Sequence, residues 1–487
     1  MKISKSDYVL SLKCPFALWL KSHRPDLTPE FNETTLTQGD EIGLLAQKLY
    51  SEGKLITNKP WEQEALAQTE KFVADGVETV FEAVAQTQSG EYCAADILTR
   101  NDNGSWTIIE VKSSTECKEY HLLDLSFQYY VFTNVGYNIK NCYVATINNQ
   151  YMKDGEIEPH KLFKFHNVTD EVIQLAKDVP QNLALTRTIK SGEEPVCEIG
   201  KCCSNFFDCQ YWEYCWNDIP KYSIFNVVKM EKAAQIFHEY KTADLKELPE
   251  NVFPSGKKCK DIECYLQQKN IVNSKEIAKF LAELKYPLYF LDYETINSAV
   301  PLFDGTYPYQ QIPFQFSLHV KKSPDSKLEH VEFLHQAQTD PREDLIKTLI
   351  ASCGESGSVI VYNQQFEKMV NRDLAKDFSK YAKEILRINE RMIDLLVPFR
   401  QRMLYCHTQN GSASIKKTLP AFTDMSYEDL EIGNGGDASS QYLAFMQGLV
   451  EKPEDLFKNL LVYCGQDTLA MVKLLDVLYS YDIKRNK

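Results

Sequence analysis

Hydrophobic positions along the chain change their spacing several times, and each spacing predicts a different kind of element. Residues 1–50 show helical spacing, whereas short β-type runs such as Ile97-Leu98 occur between about Val80 and Tyr143. A helical stretch from Leu122 to Thr133 and a strand at residues 142–146 lie in the same region. This β-β-α-β order predicts an α/β core in the first half of the chain.

A second α/β pattern occupies the last part of the chain. Leu288–Thr295 and Ser358–Tyr362 are apolar runs typical of buried strands, and Asp455–Tyr481 has the spacing of a helix. The segment between the two patterns is charged and mostly helical, with breaks at Pro249 and Pro254, so we interpret it as a connector. The predicted domains are 1–219, 220–285 and 286–487.

Composition and charge narrow the class of protein. The 44% hydrophobic and 25% charged residues are ordinary for soluble globular chains, and 487 residues are too many for one core. Lys5, Asp7 and Lys13 interrupt any apolar leader, so we expect a cytoplasmic protein without a membrane partner. The net charge of −14 excludes a broad basic surface, and any contact with nucleic acid must therefore be local.

Five residues in the second half have the spacing of a phosphoryl-transfer site. Asp292 and Glu294 are two apart on a predicted strand and share a face, and Glu367 follows the next strand. Tyr463 and Asp467 are four apart on the predicted C-terminal helix, so they also share a face. Four acids at one sheet end can hold two Mg²⁺ or Mn²⁺ ions, with the tyrosine orienting or deprotonating the attacking water.

In order and spacing, these motifs resemble the DEDD exonucleases of ribonuclease H-like fold, tyrosine subtype, which remove nucleotides from 3′ ends. In that family the middle acid is usually aspartate, where this chain has Glu367, and Asp394 is a second acid that can support or replace it. Lys416 and Lys417 are weaker candidates for phosphate contact, because adjacent lysines on an acidic protein are usually solvated. The resemblance implies Tyr463 as the water-positioning group and, as metal ligands, Asp292, Glu294, Glu367 and Asp467.

The first half carries another set of acids. Glu110 and Lys112 share one face of a predicted strand, Asp96 follows an apolar run, and Gln128 lies on the next helix. Asp96 and Glu110 can hold Mg²⁺, Lys112 can polarise water or stabilise phosphate charge, and Gln128 can orient the site or touch substrate. The arrangement resembles the RecB-like branch of the PD-(D/E)xK nucleases. Those nucleases place a metal-binding histidine in the early helix, where Glu41 is the available replacement.

Five of the fourteen cysteines fall within nineteen residues: Cys197, Cys202, Cys203, Cys209 and Cys215. In a cytosolic chain such a cluster indicates metal or Fe–S ligation rather than disulfides. An Fe–S cluster, a zinc site and plain burial all remain open, although the two-residue spacing typical of zinc knuckles is absent.

One early cysteine and three late ones resemble the ligand plan of the iron–sulfur nucleases of CRISPR adaptation and of the AddB subunit. There a [4Fe–4S] cluster joins the end of the nuclease domain to its first helices. Known members usually have two residues, not five, between the first two late cysteines. Cys202 can exchange roles with Cys203, and Cys197 is a weaker candidate. The ligands that the resemblance implies are Cys14, Cys203, Cys209 and Cys215.

Nearly the whole chain resembles a bacterial family catalogued as a domain of unknown function. The shared motifs are Lys5-Ser6-Asp7-Tyr8, Cys14-Pro15, Leu18-Trp19-Leu20, Glu110–Ser114, Asp292–Thr295, Pro308–Ser317 and Tyr463–Thr468. Together the resemblances imply a metal-dependent nuclease, a two-metal-ion phosphodiesterase that degrades DNA in repair or in defence against foreign DNA. The alternatives are an RNA-trimming 3′–5′ exonuclease, an exonuclease with a degenerate Fe–S nucleic-acid-binding module, and a non-catalytic scaffold.

Overall fold

The computed structural model describes residues 1–27, 33–196 and 198–482. In this part of the chain the fold is mixed α/β and divides into two compact units. Unit 1 comprises Met1–Ile219, Met230–His238 and Ala299–Tyr309. Unit 2 comprises Pro220–Lys229, Glu239–Ser298 and Gln310–Lys487.

Unit 1 is built on a seven-stranded mixed sheet. Its strands are β1 (Ile3–Ser4), β2 (Lys54–Leu55), β3 (Thr79–Gln86), β4 (Glu91–Arg100), β5 (Trp106–Val111), β6 (Ile139–Ile147) and β7 (Phe163–Asn167). They lie in the order β2-β3-β4-β5-β6-β7, with β1 paired to β4. Only β5 and β6 are parallel neighbours within that order among strands β3 to β7, because a helix connects them.

Eleven helices are described between residues 1 and 240, and the fifth of them connects β5 to β6. They are α1 (Lys5–Lys13), α2 (Pro15–His23), α3 (Glu33–Gln47), α4 (Gln63–Ala74), α5 (Glu119–Asn134), α6 (Pro159–Leu162), α7 (Thr169–Ala176), α8 (Val179–Ser191), α9 (Trp212–Trp216), α10 (Ile224–Val227) and α11 (Met230–Tyr240). Ser4 and Asp7 form a capping box at the start of α1, which explains why that helix begins at Lys5.

Unit 2 contains a five-stranded sheet in the order β11-β10-β9-β12-β13 and a small sheet of β14 and β8. Its strands are β8 (Ile271–Val272), β9 (Leu288–Ile296), β10 (Ile312–Lys321), β11 (Glu329–Leu334), β12 (Ser358–Val361), β13 (Met392–Asp394) and β14 (Leu404–Tyr405). β10 is antiparallel to both neighbours, whereas β9, β12 and β13 are mutually parallel. Most positions of β9 and all of β12 are buried, as their apolar sequences require.

Nine α-helices follow residue 256 in the described part of the chain. They are α12 (Lys257–Gln267), α13 (Ser274–Ala282), α14 (Arg342–Ser352), α15 (Gln364–Asp377), α16 (Ala382–Glu390), α17 (Leu396–Arg400), α18 (Ile415–Phe422), α19 (Gly435–Met446) and α20 (Pro453–Ser480). The core includes Leu291, Phe316, Leu345 and Val359, all fully buried.

Two segments pack in a different unit from the one that the predicted domain boundaries imply. Most of the predicted connector packs within unit 2, where Arg402 forms an ion pair with Asp261 at 2.7 Å. Residues 299–309 belong to unit 1, where Val300 joins an apolar cluster and Asp304 accepts a hydrogen bond from Lys153 at 2.5 Å. Hydrophobic periodicity does not predict such assignments, because they depend on contacts between distant parts of the chain.

None of the helices in the described part of the chain combines the length and the apolar character that crossing a membrane requires.

Candidate functional site

A cavity of about 520 Å³ in unit 2 gathers most of the predicted C-terminal site. Asp292 and Glu294 from β9, and Tyr463 and Asp467 from α20, all line it. A carboxylate oxygen of Asp292, one of Glu294 and the Cys464 Sγ lie within 4.8 Å of one another. Two stretches that are distant in sequence, one on β9 and one on α20, thus place their acids and Tyr463 at one cavity.

Local structure explains this convergence. Residues two apart on β9 project to the same side, while Tyr293 between them points the other way and donates to Asn371 Oδ1 at 2.8 Å. On α20 one helical turn separates Tyr463 from Asp467, so both side chains reach the same cavity.

The carboxylates at this cavity raise one another's pKa. Burial, followed by the charges of Asp467 and Glu294, holds the Asp292 pKa well above its ordinary value. Burial and the Asp467 charge do the same for Glu294. Burial raises the Asp467 pKa to about 6, although hydrogen bonds and Lys416 oppose the shift. The positive charge of Lys416 offsets these shifts only in part.

Sequence reasoning missed Tyr427, which contacts Asp467, and underrated Lys416, which lines the cavity. The Tyr427 hydroxyl donates to Asp467 Oδ1 at 2.6 Å and fixes that carboxylate. Lys416 lines the cavity, and its Nζ lies 5.8 Å from the ring centres of both Tyr427 and Tyr463. No motif marks Tyr427, because it lies in a loop forty positions before its partner. Lys417 is exposed and is not among the cavity-lining residues.

The structure separates the two remaining acids by role. Glu367 is buried on α15, its Oε2 has no hydrogen-bond partner among the described residues, and its charge contributes to the raised Asp292 pKa. Burial raises the Glu367 pKa to about 8. Asp394 Oδ1 instead accepts from the backbone N–H groups of Asn363 and Leu396. Asp394 therefore orders the chain around the start of α15. Neither Glu367 nor Asp394 is among the residues that line the cavity.

These shifts give a pH dependence with a defined sign. Carboxyl groups whose pKa is higher in the folded state than in the unfolded chain stabilise the fold fully below about pH 4, and the contribution is lost as the pH rises through the folded values. In EDTA, we expect the thermal midpoint to fall between about pH 5 and pH 8, as Asp467 and Glu367 ionise. Mg²⁺ should restore it most at pH 8. A Mg²⁺ effect that is equal at both pH values in differential scanning fluorimetry would contradict this account.

The predicted acids of unit 1 form a dense polar network. Glu110 is 1% exposed, and its Oε1 accepts from Lys112 Nζ at 2.7 Å and Lys5 Nζ at 2.6 Å. Its Oε2 accepts from Gln128 Nε2 at 2.5 Å. Lys112 also pairs with Asp124 at 2.9 Å. Glu110, Lys112 and Gln128 are thus together, and Lys5 is a partner that sequence reasoning missed.

Asp96 lies beside this network and has a different neighbour. Its Oδ2 accepts from the Val111 N–H at 2.6 Å, and burial with the Glu110 charge raises its pKa to about 6. Glu82 opposes Asp96 across β3 and β4, in a left-handed backbone conformation with φ of 55°. Burial and the Asp96 charge raise the Glu82 pKa to about 8. Glu82 shares two cavities with Asp96, whereas Glu41, whose pKa burial raises, lines neither.

The candidate ligand thiols of unit 1 lie near the junction of α1 and α2. Cys14 and Cys203 are buried, and Cys202, Cys209 and Cys215 pack against the same apolar cluster. Burial and the neighbouring Cys203 and Cys14 raise the Cys202 pKa to about 12. Cys197 lies outside the described residues.

Comparisons with known proteins give similarity without an assigned activity. Residues 289–414 match a family described as "Domain of unknown function (DUF2779)". The "Uncharacterized protein MG366 homolog" of Mycoplasma pneumoniae is 28% identical over 227 residues, which are 42% of this chain and 34% of that protein. The "Uncharacterized protein UU173" of Ureaplasma parvum is 25% identical over 215 residues, 39% of this chain and 31% of that protein.

The similarity thus spans about a third of the length of these curated relatives. A solved structure titled "Crystal structure of SSO0001" has a TM-score of 0.19 and 15% identity, over 37% of this chain and 75% of that chain. That score is too low to support a shared fold. The site geometry therefore has to carry the functional argument.

Proposed function

We propose that unit 2 is a two-metal-ion 3′–5′ exonuclease of the DEDD type, tyrosine subtype, with DNA as its substrate. The observation that carries the proposal is that Asp292, Glu294, Tyr463 and Asp467 line one cavity. The strand order β11-β10-β9-β12-β13, with β10 antiparallel to its neighbours, is the order expected of a ribonuclease H-like sheet, which supports the proposal.

The donor set fits hard divalent cations. Carboxylate oxygens are the ligands that Mg²⁺ and Mn²⁺ prefer, and the raised pKa values of Asp292 and Glu294 reflect burial and neighbouring carboxylate charges, which a bound cation would offset. Glu367 does not line the cavity, but its buried Oε2 has no hydrogen-bond partner among the described residues and its charge acts on Asp292, so it is a further candidate acceptor. When bound, the ions would supply Lewis-acid polarisation of the phosphate and of the attacking water.

Besides the acids, the chain would contribute Tyr463, Tyr427 and Lys416 to the proposed reaction. Burial and the nearby carboxylate charges hold the Tyr463 pKa well above its ordinary value, so the hydroxyl is protonated at neutral pH. Tyr463 is therefore suited to orient water through a hydrogen bond rather than to remove its proton. Tyr427 holds Asp467 in place, and Lys416 adds a positive charge beside the position of a substrate phosphate.

We further propose that unit 1 is a RecB-like PD-(D/E)xK nuclease module that carries a [4Fe–4S] cluster. Glu110, Lys112 and Gln128 are in contact, with Asp96 adjacent, which supports the first part. The thiol set supports the second, because Fe–S clusters are held by cysteine thiolates.

The sequence spacing of the late cysteines favours an Fe–S cluster over zinc, because the two-residue spacing typical of zinc knuckles is absent.

A nuclease panel tests the proposed activity. With Mn²⁺ or Mg²⁺, we expect 5′-labelled single-stranded DNA to give a ladder of products shortened from the 3′ end. Matched RNA and duplex substrates decide the sugar and the strandedness. If RNA is degraded faster than DNA, RNA is the substrate. The absence of any 3′ shortening with either metal would refute the proposed exonuclease activity.

Lys112→Ala separates an active unit 1 from a binding module. If unit 1 cleaves DNA, loss of the lysine should remove that activity and leave 3′ shortening by unit 2 in place, because Lys112 belongs to unit 1 alone. Lys118→Ala is the matched control, since Lys118 lies just before α5 and no hydrogen bond or ion pair among the described residues joins it to Glu110. An unchanged product pattern for Lys112→Ala would favour the binding module.

A further inference from the structure

Lys5 occupies a position beside the carboxylate that unit 1 would use for a metal ion. Its Nζ lies 2.6 Å from Glu110 Oε1, and Lys112 Nζ lies 2.7 Å from the same oxygen. Gln128 donates to the other oxygen at 2.5 Å. Both oxygens of Glu110 are therefore already occupied by donors, and two of those three donors are positively charged.

The fold holds Lys5 in this position. Lys5 is the first residue of α1, and the capping box of Ser4 and Asp7 fixes the start of that helix. Asp7 is itself held by Lys21 at 2.7 Å and by Lys190 at 2.6 Å. The Lys5 side chain is 25% exposed and that of Glu110 is 1% exposed, so the contact is largely shielded from water.

A carboxylate this deeply buried needs a counter-charge, and Lys5 supplies one without an external ion. A divalent cation at Asp96 and Glu110 would lie close to the Lys5 ammonium and be repelled by it. Asp96 is the more accessible acid, because only its Oδ2 is engaged, by the Val111 N–H. Cation uptake at Glu110 therefore requires that Lys5 move away.

We propose that Lys5 is a resident counter-ion of Glu110 that competes with a divalent cation for the site of unit 1. The inference rests on the proposed nuclease-type site in unit 1, and it concerns cation affinity rather than cleavage. Lys5 thereby regulates cation binding in unit 1, because its ammonium group occupies the site until the start of α1 moves.

Mn²⁺ binding, followed by electron paramagnetic resonance of the free ion, tests this proposal. The full chain is used in an Asp292→Asn/Asp467→Asn background, which removes ligands of the unit 2 site. Lys5→Met should lower the Kd for Mn²⁺ by roughly tenfold or more, because a like charge is removed from the site. Lys5→Arg should leave the Kd nearly unchanged, because it keeps the charge.

Lys140→Met is the control, since Lys140 is exposed on β6 of unit 1 and none of the hydrogen bonds or ion pairs of the described residues joins it to Asp96 or Glu110. Circular dichroism and thermal melting check each fold, and Lys5→Gln replaces Lys5→Met if the latter unfolds. An unchanged or higher Kd on loss of the charge would overturn the proposal. Weaker binding of a DNA oligonucleotide with unaltered Mn²⁺ affinity would also overturn it, and would make Lys5 a phosphate ligand.

Absence of Mn²⁺ uptake in every variant would refute both this inference and the cation site of unit 1. The exonuclease of unit 2 is scored separately, by 3′ shortening with the unaltered chain. The two failures are therefore distinguishable.

Discussion

Asp292→Asn is expected to abolish 3′ shortening, with a fall in kcat/KM of at least roughly a thousandfold, while the fold is retained. The change is isosteric, and it removes the charge that lies among Glu294, Asp467 and the buried Glu367. Without that charge the cavity loses one of the carboxylates that would hold divalent ions in the proposed site. The measurement is the rate of shortening of 5′-labelled DNA in Mn²⁺ and in Mg²⁺.

Stability distinguishes this loss from simple unfolding. Because the Asp292 pKa is held well above its ordinary value, the ionised carboxylate opposes folding in EDTA at pH 8. A neutral asparagine should therefore keep or raise the thermal midpoint under those conditions. Glu332→Gln on β11 is the control, since Glu332 is exposed on the same sheet and does not line the cavity. Full activity of Asp292→Asn would remove the basis of the unit 2 proposal.

Periodicity located the elements that place the unit 2 acids. The strand predicted over Leu288–Thr295 is β9, and the helix predicted over Asp455–Tyr481 is α20, each within a few residues. The i and i+2 spacing on a strand puts Asp292 and Glu294 on one face, and the i and i+4 spacing on a helix does the same for Tyr463 and Asp467. All four side chains line one cavity. Local geometry is enough for pairs on one element, because backbone repeat alone decides which side chains share a face.

Contacts between distant segments were beyond sequence reasoning. Lys5 meets Glu110 across 105 positions, and Tyr427 meets Asp467 across forty, with no repeat or motif to join them. Glu82 opposes Asp96 in a left-handed backbone conformation that no residue type at that position signals. The strength of each acid also depends on burial, which only the packed fold determines.

Loss of a cysteine ligand of the proposed Fe–S cluster is expected to have the second large effect. Cys14→Ser is expected to yield a colourless chain without the broad visible absorption of an Fe–S cluster, where the anaerobically purified parent is brown. Cys14 is the only described thiol of this set that comes from the junction of α1 and α2, whereas the rest follow residue 200. Its loss therefore disconnects the two ends of unit 1, whatever the late cysteines bind.

Stability should fall with the colour, because the cluster closes a loop of roughly 190 residues. Loop-closure entropy of that size is worth on the order of 5 kcal/mol, or a fall of roughly ten degrees in the thermal midpoint. Cys117→Ser is the control, since Cys117 lies in unit 1 outside the thiol set. A brown Cys14→Ser chain with four irons would exclude Cys14 as a ligand, and a colourless parent that contains zinc would replace the cluster by zinc.

The late cysteines then identify the fourth ligand. Cys202 and Cys215 both pack on the apolar cluster, and Cys202 also lies against Cys203 and Cys14. If Cys215 is the ligand, as the resemblance implies, Cys215→Ser should lose iron and Cys202→Ser should keep it. The reverse result would assign Cys202, because its thiol is already in hydrogen-bond contact with the two neighbours that a cluster would share. Iron per chain, measured for both variants, decides between them.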